Sequence, residues 1–314
     1  MITFLILYFL LKKFLNKGLE HRCDGSPALP YYSALDLGLF EERFSFHSGK
    51  WKLDGSRYYI NKDGPFKGLM VVFHGIGAGR NAYMKAIATF AKDGYLVYAF
   101  DNTGSMRSEG PEIYGLGHVY KDIESFYSFL DKDPKAQGLR RFSYGHSWGG
   151  YAALLSSDPS FKVDKIVSLA GFVDETTLYC SLAKPLSNPI GRGLLAAHRR
   201  FHEGTNVKNC FDFLDSSKAR ILYVQGLKDE SVSYDIGGKV LYDKYKKDAR
   251  FRFLFLSDRD HAIDCSKTAG EYRNALLKQG ITSTKAPKDL KMELAKATES
   301  DSEIDKAIFD FLAH

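Results

Sequence analysis

From residue 66 onward, short apolar runs rich in β-branched and aromatic residues alternate with longer amphipathic stretches. This alternation is typical of βαβ units, in which helices join the strands of a mostly parallel sheet. Two earlier extended pieces, 42–47 and 57–60, are predicted to pair as an antiparallel edge. The pattern therefore predicts the α/β class, with a mostly parallel central sheet flanked by helices. The predicted parallel strands are residues 68–73, 95–100, 141–144, 165–170, 220–225 and 250–256.

Helical periodicity fits the same scheme. In residues 120–130 the apolar side chains recur at helical spacing, while charged side chains occupy the rest of the helical wheel. A second amphipathic stretch, 304–312, is predicted to form the last helix. The apolar positions of both stretches are predicted to belong to the core.

Two segments interrupt the alternation. Residues 172–217 are far longer than a strand-helix-strand connection needs, and they include a helical stretch at 192–201. We predict that they form a small helical cap insertion over the carboxyl edge of the sheet. The segment 280–301 is polar and is predicted to loop over the surface.

The first residues do not have the pattern of a soluble domain. Residues 1–11 are apolar, and a basic stretch with Lys12, Lys13 and Lys17 follows them. The apolar run is shorter than the roughly 20 residues of a spanning helix, and it lacks the basic start and cleavage site of a signal peptide. We expect residues 1–22 to associate with a membrane surface, and the remainder, 23–314, to form the main domain. The alternative is a helix docked on an apolar groove of that domain.

Composition limits the other possibilities. A chain of 314 residues, 44% of them hydrophobic, can bury one large core. The net charge is +6, but the basic residues are dispersed among 38 acidic ones, which gives no reason to expect a nucleic-acid partner. The 4 cysteines are far apart, so we expect free thiols, no metal site and a cytoplasmic location. Two disulfides in a secreted protein are the alternative.

The most informative motif is Gly145-His146-Ser147-Trp148-Gly149, between a predicted strand and a helix of small residues. It satisfies G-x-S-x-G in the strand-turn-helix context that this motif requires. A serine on such a turn exposes its hydroxyl, and the neighbouring backbone leaves no room for side chains at Gly145 and Gly149. We therefore predict Ser147 as a nucleophile. The alternative is a glycine-rich turn with an incidental serine.

A serine hydroxyl needs a base to take its proton, and the base needs an acid to orient it. Asp229 and His261 each follow a predicted strand, so both reach the edge of the sheet where Ser147 lies. The order Ser, Asp, His is the one expected after this type of turn. We predict His261 as base and Asp229 as its acid. Asp174 and Glu230 remain competing acids, because Asp174 follows the preceding strand and Glu230 is adjacent to Asp229.

The negative charge that develops on a substrate carbonyl oxygen needs fixed hydrogen-bond donors, and backbone amides meet that need without reorganisation. Trp148, directly after the predicted nucleophile, is expected to supply one amide. The loop that begins His74-Gly75-Ile76 is expected to supply the other through Ile76. Its glycine spacing fits neither a dinucleotide-binding loop nor a P-loop, so no cofactor is expected.

These motifs resemble the α/β-hydrolase superfamily, and within it the branch of monoacylglycerol lipases, carboxylesterases and serine aminopeptidases. The resemblance extends from residue 68 to residue 262 and implies the α/β-hydrolase fold. Many relatives have Arg and Gly where this chain has Thr103 and Met106. That difference leaves the subfamily, and hence any substrate taken from relatives, open. The implied triad is Ser147, Asp229 and His261, the implied oxyanion-hole amides are those of Ile76 and Trp148, and the supporting motif residues are His74, Gly75, Gly145 and Gly149.

The implied reaction is acyl transfer to Ser147 followed by hydrolysis, without a metal or cofactor. A carboxylic ester is the expected substrate, because an alkoxide leaves more readily than an amine. A membrane-bound N-terminus would favour a lipid-derived ester and a lipase-type enzyme. The alternatives are a serine aminopeptidase, an acyltransferase or thioesterase on the same triad, and a ligand-binding homologue without turnover. The cap is expected to hold an acyl chain against Leu182, Leu186, Ile190 and Leu194.

Overall fold

The computed structural model describes residues 2–77, 79–200 and 209–314. Its central element is an 8-stranded sheet. The strands are β1 (Phe40–Ser48), β2 (Trp51–Tyr59), β3 (Leu69–Phe73), β4 (Leu96–Phe100), β5 (Arg141–His146), β6 (Val163–Leu169), β7 (Arg220–Gly226) and β8 (Phe251–Leu256). Their order across the sheet is β1-β2-β4-β3-β5-β6-β7-β8.

The strands from β3 to β8 run parallel, and the predicted parallel sheet is thereby confirmed. β1 and β2 form an antiparallel hairpin, and β2 pairs antiparallel with β4. The prediction for β2 was too short, since it began at residue 57. Asp54 and Gly55 are poor strand formers, but the hairpin pairs them with Ser45 and Phe44.

Helices cover both faces of the sheet. On β3, Leu69, Val71 and Phe73 face one core cluster, and Met70 and Val72 face the other. This alternation follows from the strand geometry, and burial on both faces explains why the strand is apolar throughout. The α-helices are α1 (Ile2–Leu15), α2 (Met84–Lys92), α3 (Val119–Leu130), α4 (Trp148–Leu155), α5 (Glu175–Leu182), α6 (Pro189–His198), α7 (Phe211–Leu214), α8 (Gly238–Tyr245), α9 (Lys267–Lys278), α10 (Leu294–Ala297) and α11 (Ser302–Ala313).

The strand order brings the loops with candidate chemistry together. β3 lies between β4 and β5, so the chain turns to opposite sides of the sheet after β3 and after β4. Loops at such a switch point leave a crevice at the carboxyl ends of the strands. Phe73 at the end of β3 pairs with Gly145 near the end of β5, which places the His74 loop beside the Ser147 turn.

The insertion at 172–217 contributes α5, α6 and α7, while residues 201–208 within it lie outside the described residues. The predicted helix at 192–201 starts earlier, because Asn188 caps α6 by accepting a hydrogen bond from the Gly191 amide at 2.8 Å. Its predicted end at residue 201 also lies outside the described residues. The segment 280–301 is mostly loop, as predicted, but it includes the short helix α10.

The second half of the N-terminal segment, residues 11–22, packs on the main domain. α1 packs on α6, and Leu11 and Leu15 are buried there. Glu20 is fully buried and accepts a hydrogen bond from the Tyr179 hydroxyl at 2.7 Å. Among the described residues, no helix has both the length and the apolar character to cross a bilayer.

Candidate active site

Ser147 occupies a sharp turn between β5 and α4. Its φ of +59° lies in the left-handed region, which a side chain adopts only under strain. A Cβ on Gly145 would collide with the backbone of Gly149, and a Cβ on Gly149 would collide with the carbonyl of Phe73. The glycines at both positions therefore let the turn lie directly against the end of β3.

The side chains of Ser147, His261 and Asp229 form a hydrogen-bonded row. His261 Nε2 lies 2.9 Å from Ser147 Oγ, and His261 Nδ1 lies 2.7 Å from Asp229 Oδ2. The other oxygen of Asp229 accepts hydrogen bonds from the amides of Ser231 at 2.9 Å and Val232 at 2.8 Å. The carboxylate is thus fixed with one oxygen toward the imidazole. In this arrangement Nδ1 carries a proton toward Asp229 and Nε2 can accept one from Ser147.

The competing acids lie elsewhere. Asp174 caps α5 and accepts hydrogen bonds from the Thr177 amide at 2.8 Å and the Thr177 hydroxyl at 2.7 Å. Glu230 is exposed to solvent. Of the acids considered from the sequence, Asp229 is therefore the one that contacts His261.

His74 orients the loop that carries Ile76. Its Nε2 accepts a hydrogen bond from the Asn102 amide at 3.0 Å, so its Nδ1 donates to the carbonyl of Gly75 at 2.7 Å. Burial lowers the pKa of His74, which keeps the ring neutral and this pattern intact. Because a trans peptide directs its C=O and N–H to opposite sides, holding the Gly75 carbonyl on His74 turns the Ile76 amide away from that ring.

Trp148 is the first residue of α4 and is buried. The first amides of a helix have no partner within the helix and are available to an anion. The indole Nε1 of Trp148 donates to the carbonyl of Leu116 at 2.9 Å, which helps to fix the start of α4. The backbone amide of Trp148 directly follows the nucleophile candidate.

His146 and Tyr83, which the sequence analysis did not single out, connect the three loops. The Tyr83 hydroxyl accepts a hydrogen bond from the Gly75 amide at 2.9 Å and lies 3.5 Å from His146 Nδ1. His146 Nε2 donates to the backbone carbonyl of His261 at 2.7 Å. Burial lowers the pKa of His146 to about 4, so the ring is neutral near pH 7. His146 therefore ties the serine turn to the loop of His261.

We expect replacement of His146 by phenylalanine to lower kcat for a soluble ester by ~10-fold to 100-fold, since misplacing a reacting group by about 1 Å can lower the rate ~100-fold. Replacement by glutamine, whose amide nitrogen can reach the His261 carbonyl, should restore most of the activity. Separate values of kcat and KM check the cause, because a displaced His261 lowers kcat and leaves KM for the ester nearly unchanged. Equal activity of the two variants would contradict this positioning role.

Thermal unfolding as a function of pH gives an independent control. In the unfolded chain His146 takes up a proton below its ordinary pKa of 6.5, whereas burial in the folded chain lowers that pKa to about 4. Stability contributed by the neutral ring is therefore lost as the pH falls from 6.5 toward 4. The His146→Gln variant should lose less stability over that range than the unmodified chain.

A cavity of about 440 Å³ opens beside Ser147 and His261. Gly75 and Ile76 line it, and a Cβ placed on Gly75 would lie 3.7 Å from the Cβ of Ser147. At its polar side, Asp264 and Arg273 form an ion pair with distances of 3.0 and 3.1 Å. Although burial opposes it, the Arg273 guanidinium holds the pKa of Asp264 well below its usual range. The apolar wall includes Leu29, Pro30, Ala86, Leu276, Leu277, Ile281, Met292 and Leu294.

The prediction that Leu182, Leu186, Ile190 and Leu194 of the cap contact an acyl chain is wrong for this cavity. No described residue of 172–217 lines the cavity, whereas residues of 281–298 do. Leu182 and Ile190 are exposed, Leu194 is buried in the core, and Leu186 is partly buried against the core. The reason is that α6 packs on α1, away from the cavity, while the segment after α9 folds back over it.

Met106 adopts a φ of +48°, in the left-handed region that a glycine accommodates without strain. The hydroxyl and the amide of Thr103 donate to the carboxylate of Asp122 at 2.8 and 2.7 Å. Thr103 and Met106 both lie in the loop after β4, and the side chain of Thr103 is held by Asp122. In the described part of the chain, no group of three or more His, Cys, Asp or Glu residues is arranged to hold a metal ion.

Comparison with known structures agrees with the architecture. An esterase from Pyrococcus furiosus superimposes with a TM-score of 0.61 at 16% sequence identity, over 82% of this chain and 97% of that one. An acylaminoacyl peptidase from Pyrococcus horikoshii gives a TM-score of 0.53 at 18% identity, over 72% of this chain and 38% of that one. At such identities the likeness shows the α/β-hydrolase fold, which confirms the predicted fold.

Comparison of sequences is more specific. A caffeoylshikimate esterase from Arabidopsis thaliana is 28% identical over 134 residues, which are 41% of this chain and 39% of that protein. The alignment thus spans well under half of the relative. The family model described as serine aminopeptidase, S33, matches residues 64–223, a span that includes the His74 loop and the Ser147 turn and ends before Asp229. The chain belongs to this family of α/β-hydrolases.

Proposed function

We propose that the chain is a serine hydrolase that cleaves carboxylic esters through an acyl-enzyme on Ser147. The observation that carries the proposal is the continuous row from Ser147 Oγ to His261 at 2.9 Å and on to Asp229 at 2.7 Å. A hydroxyl, an imidazole and a buried carboxylate in this order are the parts that acyl transfer requires. Family membership supports the same reaction class.

In the proposed reaction, His261 Nε2 takes the proton of Ser147 as Oγ bonds to the carbonyl carbon of the ester. The amides of Ile76 and Trp148 receive the negative charge on the carbonyl oxygen. The bond to the alcohol then breaks, and His261 gives its proton to the departing oxygen. Water then attacks the acyl-enzyme while the same imidazole takes its proton. The bond to Oγ breaks, the carboxylic acid is released, and the imidazole returns the proton to Oγ of Ser147.

The lining of the cavity supports an ester without a free amino group. An aminopeptidase must bind the positive α-amino group of its substrate, for which a carboxylate is the natural partner. Of the described residues that line the cavity, Asp264 is the acidic one, and it is paired with Arg273. The apolar wall fits the hydrocarbon part of a substrate, and a lipid-derived ester is one member of this class.

Two measurements on the full chain test the proposal. A fluorophosphonate probe should label Ser147, as located by mass spectrometry of the peptide that contains it. A panel of p-nitrophenyl esters and aminoacyl p-nitroanilides should then show turnover of the esters. Absence of both labelling and ester turnover would refute a serine hydrolase. Labelling with turnover of anilides alone would identify a peptidase, and labelling with acyl transfer to an added alcohol or thiol in place of hydrolysis would identify a transferase.

A further inference from the structure

Residues 3–7, near the start of α1, are exposed to solvent. Phe4, Leu5, Ile6 and Leu7 are consecutive, and each is at least 39% exposed. Successive residues of a helix point about 100° apart, so four in a row sample every face. A helix docked along a groove would bury one of those faces. This part of α1 therefore projects into the solvent with apolar side chains all around it, and Phe9 and Leu10 extend the same surface.

The base of the projecting helix is firmly attached. Leu11 and Leu15 are buried, and the carboxylate of Glu20 contacts His198 Nε2 at 2.9 Å. Arg22 donates to three backbone carbonyls of the loop after β4, those of Met106, Ser108 and Gly110, at 2.6, 2.9 and 2.7 Å. The exposed apolar surface of α1 is consequently fixed in position relative to the rest of the domain. A surface that anchors the domain needs such a rigid connection.

Lysines surround the attached end. Lys13 and Lys17 are exposed, and Lys12 is half-buried with its Nζ 4.0 Å from Glu112. An apolar projection with cations at its base is complementary to a bilayer with anionic lipid, where acyl chains meet the apolar side chains and phosphates meet the lysines. Fourteen residues of helix span about 21 Å, which is less than the ~30 Å hydrocarbon core.

From this combination we propose that the exposed apolar side chains of α1, those of residues 4–7 with Phe9 and Leu10, insert into the interfacial zone of a lipid bilayer that contains anionic lipid. Phe4, Phe9 and Leu10 enter the acyl-chain boundary, and Lys13 and Lys17 bind lipid phosphates. The helix anchors the domain to one leaflet without crossing the membrane. This proposal is independent of the chemistry at Ser147, because none of these residues lines the cavity.

Flotation of the full chain with vesicles tests the surface. The protein should float with phosphatidylcholine vesicles that contain phosphatidylserine, and the Phe9→Ser, Leu10→Ser double variant should lose at least about tenfold in partitioning. Lys13→Gln with Lys17→Gln should weaken binding to the phosphatidylserine vesicles and leave binding to pure phosphatidylcholine unchanged. Leu35→Ser, which alters a side chain that is 85% exposed elsewhere, is the matched control and should bind as the unmodified chain does.

All variants should unfold at the same temperature as the unmodified chain, which shows that they fold independently of any activity at Ser147. Equal flotation of the Phe9→Ser, Leu10→Ser variant and the unmodified chain would overturn the proposal. The proposal would also be overturned if the unmodified chain failed to float and sedimentation velocity showed a dimer that the double variant no longer forms. In that case a second copy of the chain covers α1.

Discussion

Replacing Ser147 with alanine is expected to reduce kcat for a p-nitrophenyl ester by ~10⁴-fold or more, because the step that forms the acyl-enzyme loses its nucleophile. The residual rate would come from the amides of Ile76 and Trp148 and from substrate binding. Steady-state kinetics on purified protein measures the effect, and the melting temperature shows whether the fold is intact.

Ser283 provides the matched control for this experiment. It lines the same cavity but has no contact with His261 among the described hydrogen bonds. Ser283→Ala should keep kcat within a few-fold of the unmodified chain and should still react with a fluorophosphonate. If Ser147→Ala retained more than a tenth of the activity, another group would have to be the nucleophile, and the acyl-enzyme mechanism would be abandoned.

Replacing Asp229 with asparagine should lower kcat by about 10⁴-fold, the effect of this change in a well-studied triad. The two amides of Ser231 and Val232 hold one oxygen of Asp229, and an asparagine would keep its carbonyl oxygen there. Its NH₂ group would then face Nδ1 of His261 and demand an unprotonated nitrogen. The imidazole would carry its proton on Nε2, toward Ser147, and could no longer act as base.

Asp174→Asn is the comparison that separates the two acids. Asparagine and aspartate are similarly good helix caps, so this variant should retain the cap of α5 with little change in stability or kcat. A larger loss of activity from Asp174→Asn than from Asp229→Asn would reverse the assignment of the acid. Measuring kcat over a range of pH distinguishes a loss of activity from a shift of the pH optimum.

The sequence predicted the parallel sheet well because inner strands such as β3, β4 and β7 are buried on both faces. Each of these strands is a nearly unbroken apolar run between turn residues, and such a run requires no knowledge of its neighbours. β8 lies at the edge of the sheet and is only partly buried, but it is also largely apolar. The β1–β2 hairpin was harder. In residues 51–54, Trp51 and Leu53 alternate with charged side chains, and a glycine follows them. The beginning of β2 therefore becomes evident only through its pairing with β1.

The residues that the structure brings to Ser147 were predictable to the extent that a motif or a strand end marks them. His146 is at the variable position of G-x-S-x-G, and its partners Tyr83 and His261 are 63 and 115 residues away. No local pattern indicates such contacts. The predicted contact of Leu182, Leu186, Ile190 and Leu194 with an acyl chain was wrong for a related reason: the length of an insertion is evident from the sequence, but the surface on which it packs is not.

Residues 281–298 contribute Ile281, Met292 and Leu294 to the apolar wall of the cavity, and they come after every strand of the sheet and after Ser147, Asp229 and His261 along the chain. Among the described residues, none of this stretch is hydrogen-bonded to the side chains of Ser147, Asp229 or His261, so we expect changes of its length and side chains to have little effect on these groups. If the proposed function holds, we expect this part of the wall to influence which ester is accepted more than how fast it reacts. Homologues that differ in this stretch are expected to accept different esters at similar intrinsic rates, and exchanging it between them offers a direct route to altered selectivity.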